Sequence, residues 1–165
     1  LMGAPLRVKS VLGEGTTFFF EVEMPLSDEL TDHDAVTFDQ IRALVIDDNS
    51  TNVEIIKHQL EAWQVDVYAT TDPQDAVREA VERSTSLPYS LALIDAHMPN
   101  MDGFAVANAI NEQLDDDCRP TMLLLSSADL IRNDDALAAG FATILRKPVT
   151  RDELVANIRD RRAHV

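Results

Sequence analysis

The stretch ALVIDD, residues 43–48, indicates the fold of this chain of 165 residues. A strand with one exposed face alternates apolar and polar residues, whereas four consecutive apolar residues are typical of a strand that helices cover on both faces. Two acidic residues, Asp47 and Asp48, follow the run directly. Similar apolar runs occur at residues 91–94 and 122–125. The three runs together predict a parallel sheet buried between helices.

From residue 41 onward, five short apolar runs alternate with five amphipathic stretches. The remaining runs are residues 65–69 and 142–145, and helices are predicted at about 51–63, from residue 73, at about 103–114, at about 129–139 and from about residue 150. Asp72 is suited to cap the second helix, and Thr150 and Glu153 have the spacing of a capping box. Five βα units predict an α/β fold with a doubly wound parallel sheet of five strands and helices on both faces.

Residues 1–40 differ from the remainder of the chain. Two strand-like segments flank the turn sequence Gly13-Glu14-Gly15, which predicts a hairpin within residues 1–27. A lone hairpin is barely stable, so it either packs on the rest of the chain or belongs to a larger domain lying upstream. Residues 28–40 are rich in acidic residues and contain no lysine or arginine, which predicts a solvated linker before a domain at 41–165.

The charge of the chain excludes some classes of partner. The sequence contains 29 acidic and 14 basic residues and has a formal net charge of −15. Nucleic acids and anionic membrane surfaces are therefore unfavourable partners. No apolar run approaches the length of about 20 residues that a membrane-spanning helix needs. A single cysteine, Cys118, excludes an internal disulfide and agrees with a reducing, cytoplasmic location.

Polar residues follow four of the predicted strands. In a doubly wound sheet, ligands bind beyond the carboxyl ends of the strands, so these residues should converge. One lysine is too little positive charge for three neighbouring carboxylates, and oxygen ligands suit Mg²⁺. The sequence therefore predicts a magnesium site at this edge, among Asp47 and Asp48 after the first strand, Asp95 after the third, Ser126 and Ser127 after the fourth, and Lys147 after the fifth.

These motifs resemble the receiver domains of two-component signalling. The resemblance is carried by LVIDDN at 44–49, LIDAHMPNMDG at 93–103, the hydroxyl after the fourth strand and Lys147-Pro148 after the fifth. It covers residues 41 to about 162. It implies a flavodoxin-like fold with strand order 2-1-3-4-5.

The resemblance also implies roles for individual residues at the strand ends. Asp95 would be the phospho-accepting nucleophile. Asp47 and Asp48 would hold Mg²⁺ together with Asp95 and the backbone carbonyl of His97. A carboxylate can attack phosphorus in line while a metal and an ammonium neutralise the charge of the phosphoryl oxygens.

Two further positions complete the implied site. Lys147 would contact the phosphoryl group, and Ser126 would hydrogen-bond it after transfer, with Ser127 as the alternative hydroxyl. Receivers usually carry an aromatic residue three places before the lysine, which couples phosphorylation to the surface. This chain has Ile144 there, which leaves that coupling open.

The N-terminal hairpin carries a second resemblance. Residues 1–10, 13–18 and 24–26 are similar to the last two strands of a histidine-kinase ATPase domain, including its second glycine box. The chain would then be the C-terminal piece of a hybrid sensor histidine kinase, and its parent would be membrane-anchored or cytoplasmic. The piece itself would have no kinase activity, because it lacks the ATP site and the phospho-donor histidine. The implied partners are the phospho-donor domain of a histidine kinase and a histidine phosphotransfer protein.

Other functions are less compatible with the sequence. A degenerate receiver that acts only as an interaction or inhibitory module is the main alternative, because Ile144 replaces the usual aromatic residue. A flavodoxin-type cofactor binder would cradle phosphate with hydroxyls and amides instead of three carboxylates. A DNA-binding regulator is disfavoured because the sequence contains no basic output domain.

Overall fold

The computed structural model describes residues 5–23, 37–38, 40–127 and 131–162, with residues 160–162 described by their backbone alone. The chain divides into two compact units, Leu1–Asp34 and Ala35–Val165. Most of the predicted linker at 28–40 and the predicted start of the fourth helix at 129 lie outside the described residues. Residues 131 and 132, which were predicted to be helical, are described and precede the helix.

The first unit contains an antiparallel hairpin. Strand β1, Arg7–Val11, pairs with β2, Gly15–Phe19, so that Val8 lies opposite Phe18. The turn passes through Gly13, whose φ of +87° favours glycine. Both strands lie within the range predicted for the hairpin. Four apolar side chains at alternating positions are 60–68% exposed, namely Leu6, Val8, Phe18 and Phe20.

The second unit contains a parallel sheet of five strands in the order β4-β3-β5-β6-β7. Counted within this unit, the order is 2-1-3-4-5, which confirms the predicted flavodoxin-like topology. All four strand pairs are parallel. The strands are β3 Arg42–Ile46, β4 Asp66–Thr70, β5 Leu91–Asp95, β6 Thr121–Ser126 and β7 Phe141–Arg146.

Five helices connect or follow these strands, as the alternating pattern predicted. The predicted caps are present: Asp72 accepts hydrogen bonds from the backbone N–H groups of Gln74 and Asp75, and Thr150 and Glu153 form a reciprocal capping box. The helices are α1 Ser50–Glu61, α2 Pro73–Arg83, α3 Gly103–Gln113, α4 Asn133–Ala138 and α5 Arg151–Arg162, with a 3₁₀ turn at Asp116–Cys118.

The sheet separates two apolar cores. On one face, strand residues such as Ile46 and Ile94 pack against α2, α3 and α4. On the other face, Val45 and Leu93 pack against α1 and α5. Successive strand side chains point to opposite faces, so the continuous apolar runs fill both cores. The polar residues at the strand ends belong to neither core.

Two aromatic residues extend the second core beyond the predicted elements. Trp63 follows the end of α1 instead of lying within it, and it is 4% exposed. Phe38, which falls in the range predicted as a linker, is 2% exposed and contacts Trp63 edge to face with ring centroids 6.2 Å apart. Its backbone N–H donates to the Trp63 carbonyl at 2.7 Å. The acidic composition of residues 28–40 predicted a solvated linker, and it gave no sign that Phe38 packs into the core.

None of the helices in the part of the chain that the structure describes is both long enough and apolar enough to cross a membrane.

Candidate functional site

The predicted polar residues lie at one edge of the five-stranded sheet. Asp47 directly follows β3, Asp95 is the last residue of β5, Ser126 is the last residue of β6, and Lys147 directly follows β7. The strands are parallel, so all four residues meet at the carboxyl edge. Four of the five apolar runs therefore position the site, since each is followed within two residues by one of these polar residues.

Asp47 is completely buried and accepts hydrogen bonds from three protein groups. Its Oδ1 accepts the backbone N–H of Asn49 at 2.9 Å, and its Oδ2 accepts the ammonium of Lys147 at 2.6 Å. The side-chain amide of Asn52 on α1 lies 3.2 Å from Oδ1 and 3.1 Å from Oδ2. A buried carboxylate needs such donors to replace the water that it has lost.

Lys147 joins two of the predicted carboxylates. Its Nζ lies 2.6 Å from Asp47 Oδ2 and 2.7 Å from Asp95 Oδ1. Burial by itself lowers the pKa of the Lys147 ammonium, but the hydrogen bonds and charges of both carboxylates outweigh burial and raise that pKa above its ordinary value. Lys147 therefore carries a full positive charge at neutral pH.

Asp48 is the exposed member of the acidic cluster. One oxygen each from Asp47, Asp48 and Asp95 lies within 4.8 Å of the others. Three carboxylates and one ammonium leave a formal charge of −2, which a divalent cation balances. The donors are all oxygen, which fits Mg²⁺ and other hard cations. The residues present are therefore suitable for the metal that the sequence predicts.

A cavity of about 540 Å³ opens beside Asp48. It lies between residues 71–74, which join β4 to α2 and include the start of α2, and residues 98–101 of the loop after β5. The acidic cluster is therefore accessible from outside the protein on the Asp48 side.

The backbone of Asp95 is fixed by residues that the sequence analysis did not identify. Asp102 caps α3 through the backbone N–H of Ala105, and the N–H of Gly103 donates to the carbonyl of Ala96 at 3.2 Å. A Cβ on Gly103 would lie only 2.5 Å from the Asp95 carbonyl oxygen. The sequence MDG at 101–103 was a usable signal, because an Asp before a helix start is a common cap.

The other predicted positions have distinct environments. Ser126 is 1% exposed, whereas Ser127 is exposed, and the backbone N–H of Lys147 donates to the Ser126 carbonyl. His97 lies two residues beyond Asp95 with an exposed side chain. Ile144 is partly buried on β7 and pairs with Leu124, two residues before Ser126.

Curated relatives share sequence with nearly the whole chain. The sensor histidine kinase AruS of Pseudomonas aeruginosa is 30% identical over 158 residues, which cover 93% of this chain and 15% of the relative. The sensor protein EvgS of Escherichia coli K12 is 29% identical over 163 residues, which cover 95% of this chain and 13% of the relative. The chain thus spans a small part of the length of both relatives.

Solved structures share the fold of the second unit. One is the receiver domain of the sensor histidine kinase PA1611 from Pseudomonas aeruginosa, solved with a magnesium ion coordinated in its active-site cleft. It superposes with a TM-score of 0.63 and 26% identity, covering 73% of this chain and 95% of the other.

A family model matches the same region. Residues 43–159 match the response regulator receiver domain, and this range contains every strand of the five-stranded sheet except the first residue of β3. The match covers more than half of the chain and includes all of the acidic cluster. The chain belongs to the response regulator receiver domain family.

Proposed function

We propose that residues 41–165 accept a phosphoryl group on Asp95 in a Mg²⁺-dependent reaction. One observation carries the proposal: the Lys147 ammonium bridges Asp47 and Asp95 at 2.6 and 2.7 Å, beside the exposed carboxylate of Asp48. A cluster with this charge and these oxygen donors suits a divalent cation and a phosphoryl group together.

The metal would be held by the carboxylates of Asp47, Asp48 and Asp95 and by the backbone carbonyl of His97. When bound, it would neutralise charge on the phosphoryl oxygens. The magnesium ion in the PA1611 receiver supports this assignment by similarity. Asp48 is the most accessible of the three carboxylates, and the cavity beside it gives a route from solvent.

In the proposed reaction, an Asp95 carboxylate oxygen attacks the phosphorus of a phosphohistidine. The P–O bond to Asp95 forms as the P–N bond breaks, and the departing imidazole nitrogen takes up a proton. Lys147 stabilises the charge of the phosphoryl oxygens from a position already fixed by Asp47. Ser126, buried at the end of the adjacent strand β6, would hydrogen-bond the transferred group.

The hybrid-kinase context is also part of the proposal. The EvgS alignment leaves out only 5% of the chain, so it must include most of the 34 residues of the first unit. The exposed apolar face of the hairpin suits two strands of a larger sheet. Residues 1–27 would then be the end of a histidine-kinase ATPase domain, and residues 28–40 a linker to the receiver.

The proposed partners follow from this context. The donor would be the phosphohistidine domain of a sensor kinase, in the parent polypeptide, and the next acceptor a histidine phosphotransfer protein. Transfer would occur in the cytoplasm, where ATP supplies the kinase. A parent containing these kinase domains would be the phosphotransferase, and residues 41–165 would be its receiving module.

Phosphorylation by a small donor tests the central claim. The chain is incubated with phosphoramidate and Mg²⁺ and analysed by intact-protein mass spectrometry. We expect addition of one phosphoryl group, lost on treatment with hydroxylamine, which cleaves acyl phosphates. Chelation of Mg²⁺ should prevent the addition.

The matched variants are Asp95→Asn and Asp66→Asn. Asp66 lies at the opposite, amino end of the sheet and is paired with Arg42, so it controls for removal of one carboxylate. Asp95→Asn should abolish the modification and Asp66→Asn should retain it. Modification of a folded Asp95→Asn variant would disprove the assignment, and a wild-type chain that stays unmodified would favour a degenerate interaction module.

A further inference from the structure

The side-chain amide of Asn52 contacts both oxygens of the buried Asp47 carboxylate, at 3.2 and 3.1 Å. Asn52 lies in the first turn of α1, five residues after Asp47, and is itself half-buried. Neither its helix nor its own burial requires this contact. Its amide is a neutral donor placed on the most buried carboxylate of the site.

The remaining contacts of Asp47 show what Asn52 adds. Oδ1 already accepts the backbone N–H of Asn49, and Oδ2 already accepts Lys147. A carboxylate offers about two acceptor positions on each oxygen, so the Asn52 amide, which is shared between the two oxygens, adds a third protein donor and still leaves acceptor capacity for a cation. Asp47 therefore accepts hydrogen bonds from three protein groups, whereas Asp48 is exposed.

Hydrogen bonds to a carboxylate withdraw part of its negative charge from other partners. Donation from Asn52 therefore reduces the attraction of Asp47 for a cation bound among the three carboxylates. It also keeps Oδ2 directed at Lys147, which in turn contacts Asp95. A neutral donor at this position weakens metal binding while it supports the geometry around Asp95.

We propose that Asn52 is a positioning residue that acts through Asp47 and lowers the affinity of the site for Mg²⁺. The inference rests on the proposed phospho-acceptor function and deepens it. Removing the amide should tighten Mg²⁺ binding, and replacing it with a carboxylate should tighten binding further. We therefore expect the wild type to bind Mg²⁺ most weakly, Asn52→Leu to bind it more tightly and Asn52→Asp to bind it most tightly.

Isothermal titration calorimetry of the full chain with MgCl₂ measures this order directly. Hydrogen bonds to charged groups are the stronger class, so we expect the dissociation constant to fall about three- to tenfold in Asn52→Leu. Asn52→Asp should lower it further. Gln59→Ala is the matched control, because it removes a neutral side-chain amide from the same helix away from Asp47, and it should leave the constant unchanged.

A second readout separates positioning from a general structural effect. In the phosphoramidate reaction, the Mg²⁺ concentration that gives half-maximal rate should fall in both Asn52 variants. A structural defect would lower the saturated rate and leave the Mg²⁺ dependence unchanged. Circular dichroism identifies any variant that does not fold, and the other variant then decides the result.

The outcomes distinguish this inference from the function on which it rests. A wild-type chain without a Mg²⁺ binding signal contradicts the metal site and the inference together. Mg²⁺ binding that is equal to wild type, or weaker, in the folded Asn52 variants contradicts the inference alone.

Discussion

At the scale of single residues, a glycine lies against the backbone of Asp95, the proposed phospho-acceptor. Gly103 begins α3 directly against the end of β5, where its N–H donates to the Ala96 carbonyl. Any side chain at this position would meet the backbone of Asp95, which cannot move aside as a flexible side chain could. The close approach of α3 thus constrains the backbone that carries the Asp95 carboxylate.

Replacing Gly103 with alanine should destabilise the domain. Alanine favours a helix over glycine by up to about 1 kcal/mol, but an added Cβ 2.5 Å from the Asp95 carbonyl oxygen forces the backbone apart. Overpacking of this kind costs about 1–3 kcal/mol. We expect urea denaturation to show a net loss of unfolding free energy and phosphorylation of Asp95 to slow. A gain in stability would show that helix propensity outweighs the steric contact.

At the scale of secondary-structure elements, the start of α5 depends on an ionised cap. The Glu153 carboxylate accepts the backbone N–H of Thr150 at 3.0 Å and its hydroxyl at 2.8 Å. These hydrogen bonds lower the pKa of Glu153 below its ordinary value of 4.5. Leu154 and Ile158 of the same helix are buried in the second core, so the cap supports packing beside β7.

The lowered pKa of Glu153 gives the cap a defined pH dependence. A carboxylate whose pKa is lower in the folded state stabilises the fold above its unfolded pKa, and this contribution is lost as the pH falls through the folded value. We therefore expect Glu153→Gln to lower the melting temperature at neutral pH. The difference from wild type should disappear in acid, below the folded pKa. A difference that stays constant with pH would show that the charge of Glu153 has no part in the cap.

Removing Thr150, the other half of the capping box, measures how much the cap contributes to the free energy of unfolding. Thr150→Ala should cost about 1 kcal/mol of unfolding free energy, as loss of an N-cap side chain commonly does. Asn157→Ala is the control, because it lies on α5 and its amide contacts only an exposed helix carbonyl among the residues described. Equal losses in the two variants would contradict a specific role for the cap.

At the scale of the whole molecule, the two units differ in what they bury. The second unit has two complete cores on either side of its sheet, whereas the described hairpin of the first unit exposes its apolar side chains. The boundary at residue 35 places Phe38 with the second unit. Phe38 and Trp63 close the second core at the end of α1.

Two truncations test this division. A chain of residues 35–165 should have nearly the same free energy of unfolding as the second unit has in the full chain, because it keeps both cores. A chain of residues 41–165 loses Phe38, and we expect it to be less stable by about 3 kcal/mol or more, as large buried aromatic side chains contribute this amount. Urea denaturation of both, with Phe38→Ala in the full chain as a point control, measures the difference. Equal stability of the two truncations would place the domain boundary after Phe38.

The sequence by itself determined the sheet, its helices and the residues at its carboxyl edge. Apolar runs such as residues 43–46 and 91–94 are local signals, and the parallel topology brings Asp47, Asp95 and Lys147 to one edge without further information. The caps at Asp72 and Thr150 were equally predictable, since a capping side chain bonds within its own first turn.

Only the tertiary structure decided the contacts that depend on how elements approach one another. Asn52 and Gly103 are ordinary helix residues in the sequence, and their roles arise because α1 and α3 bring them against Asp47 and Asp95. Phe38 lies in an acidic segment of the sequence, and only its contact with Trp63 shows that it belongs to the core. Secondary structure follows from local periodicity, but hydrogen bonds and steric contacts between elements depend on distances of a few ångströms that the folded packing alone sets.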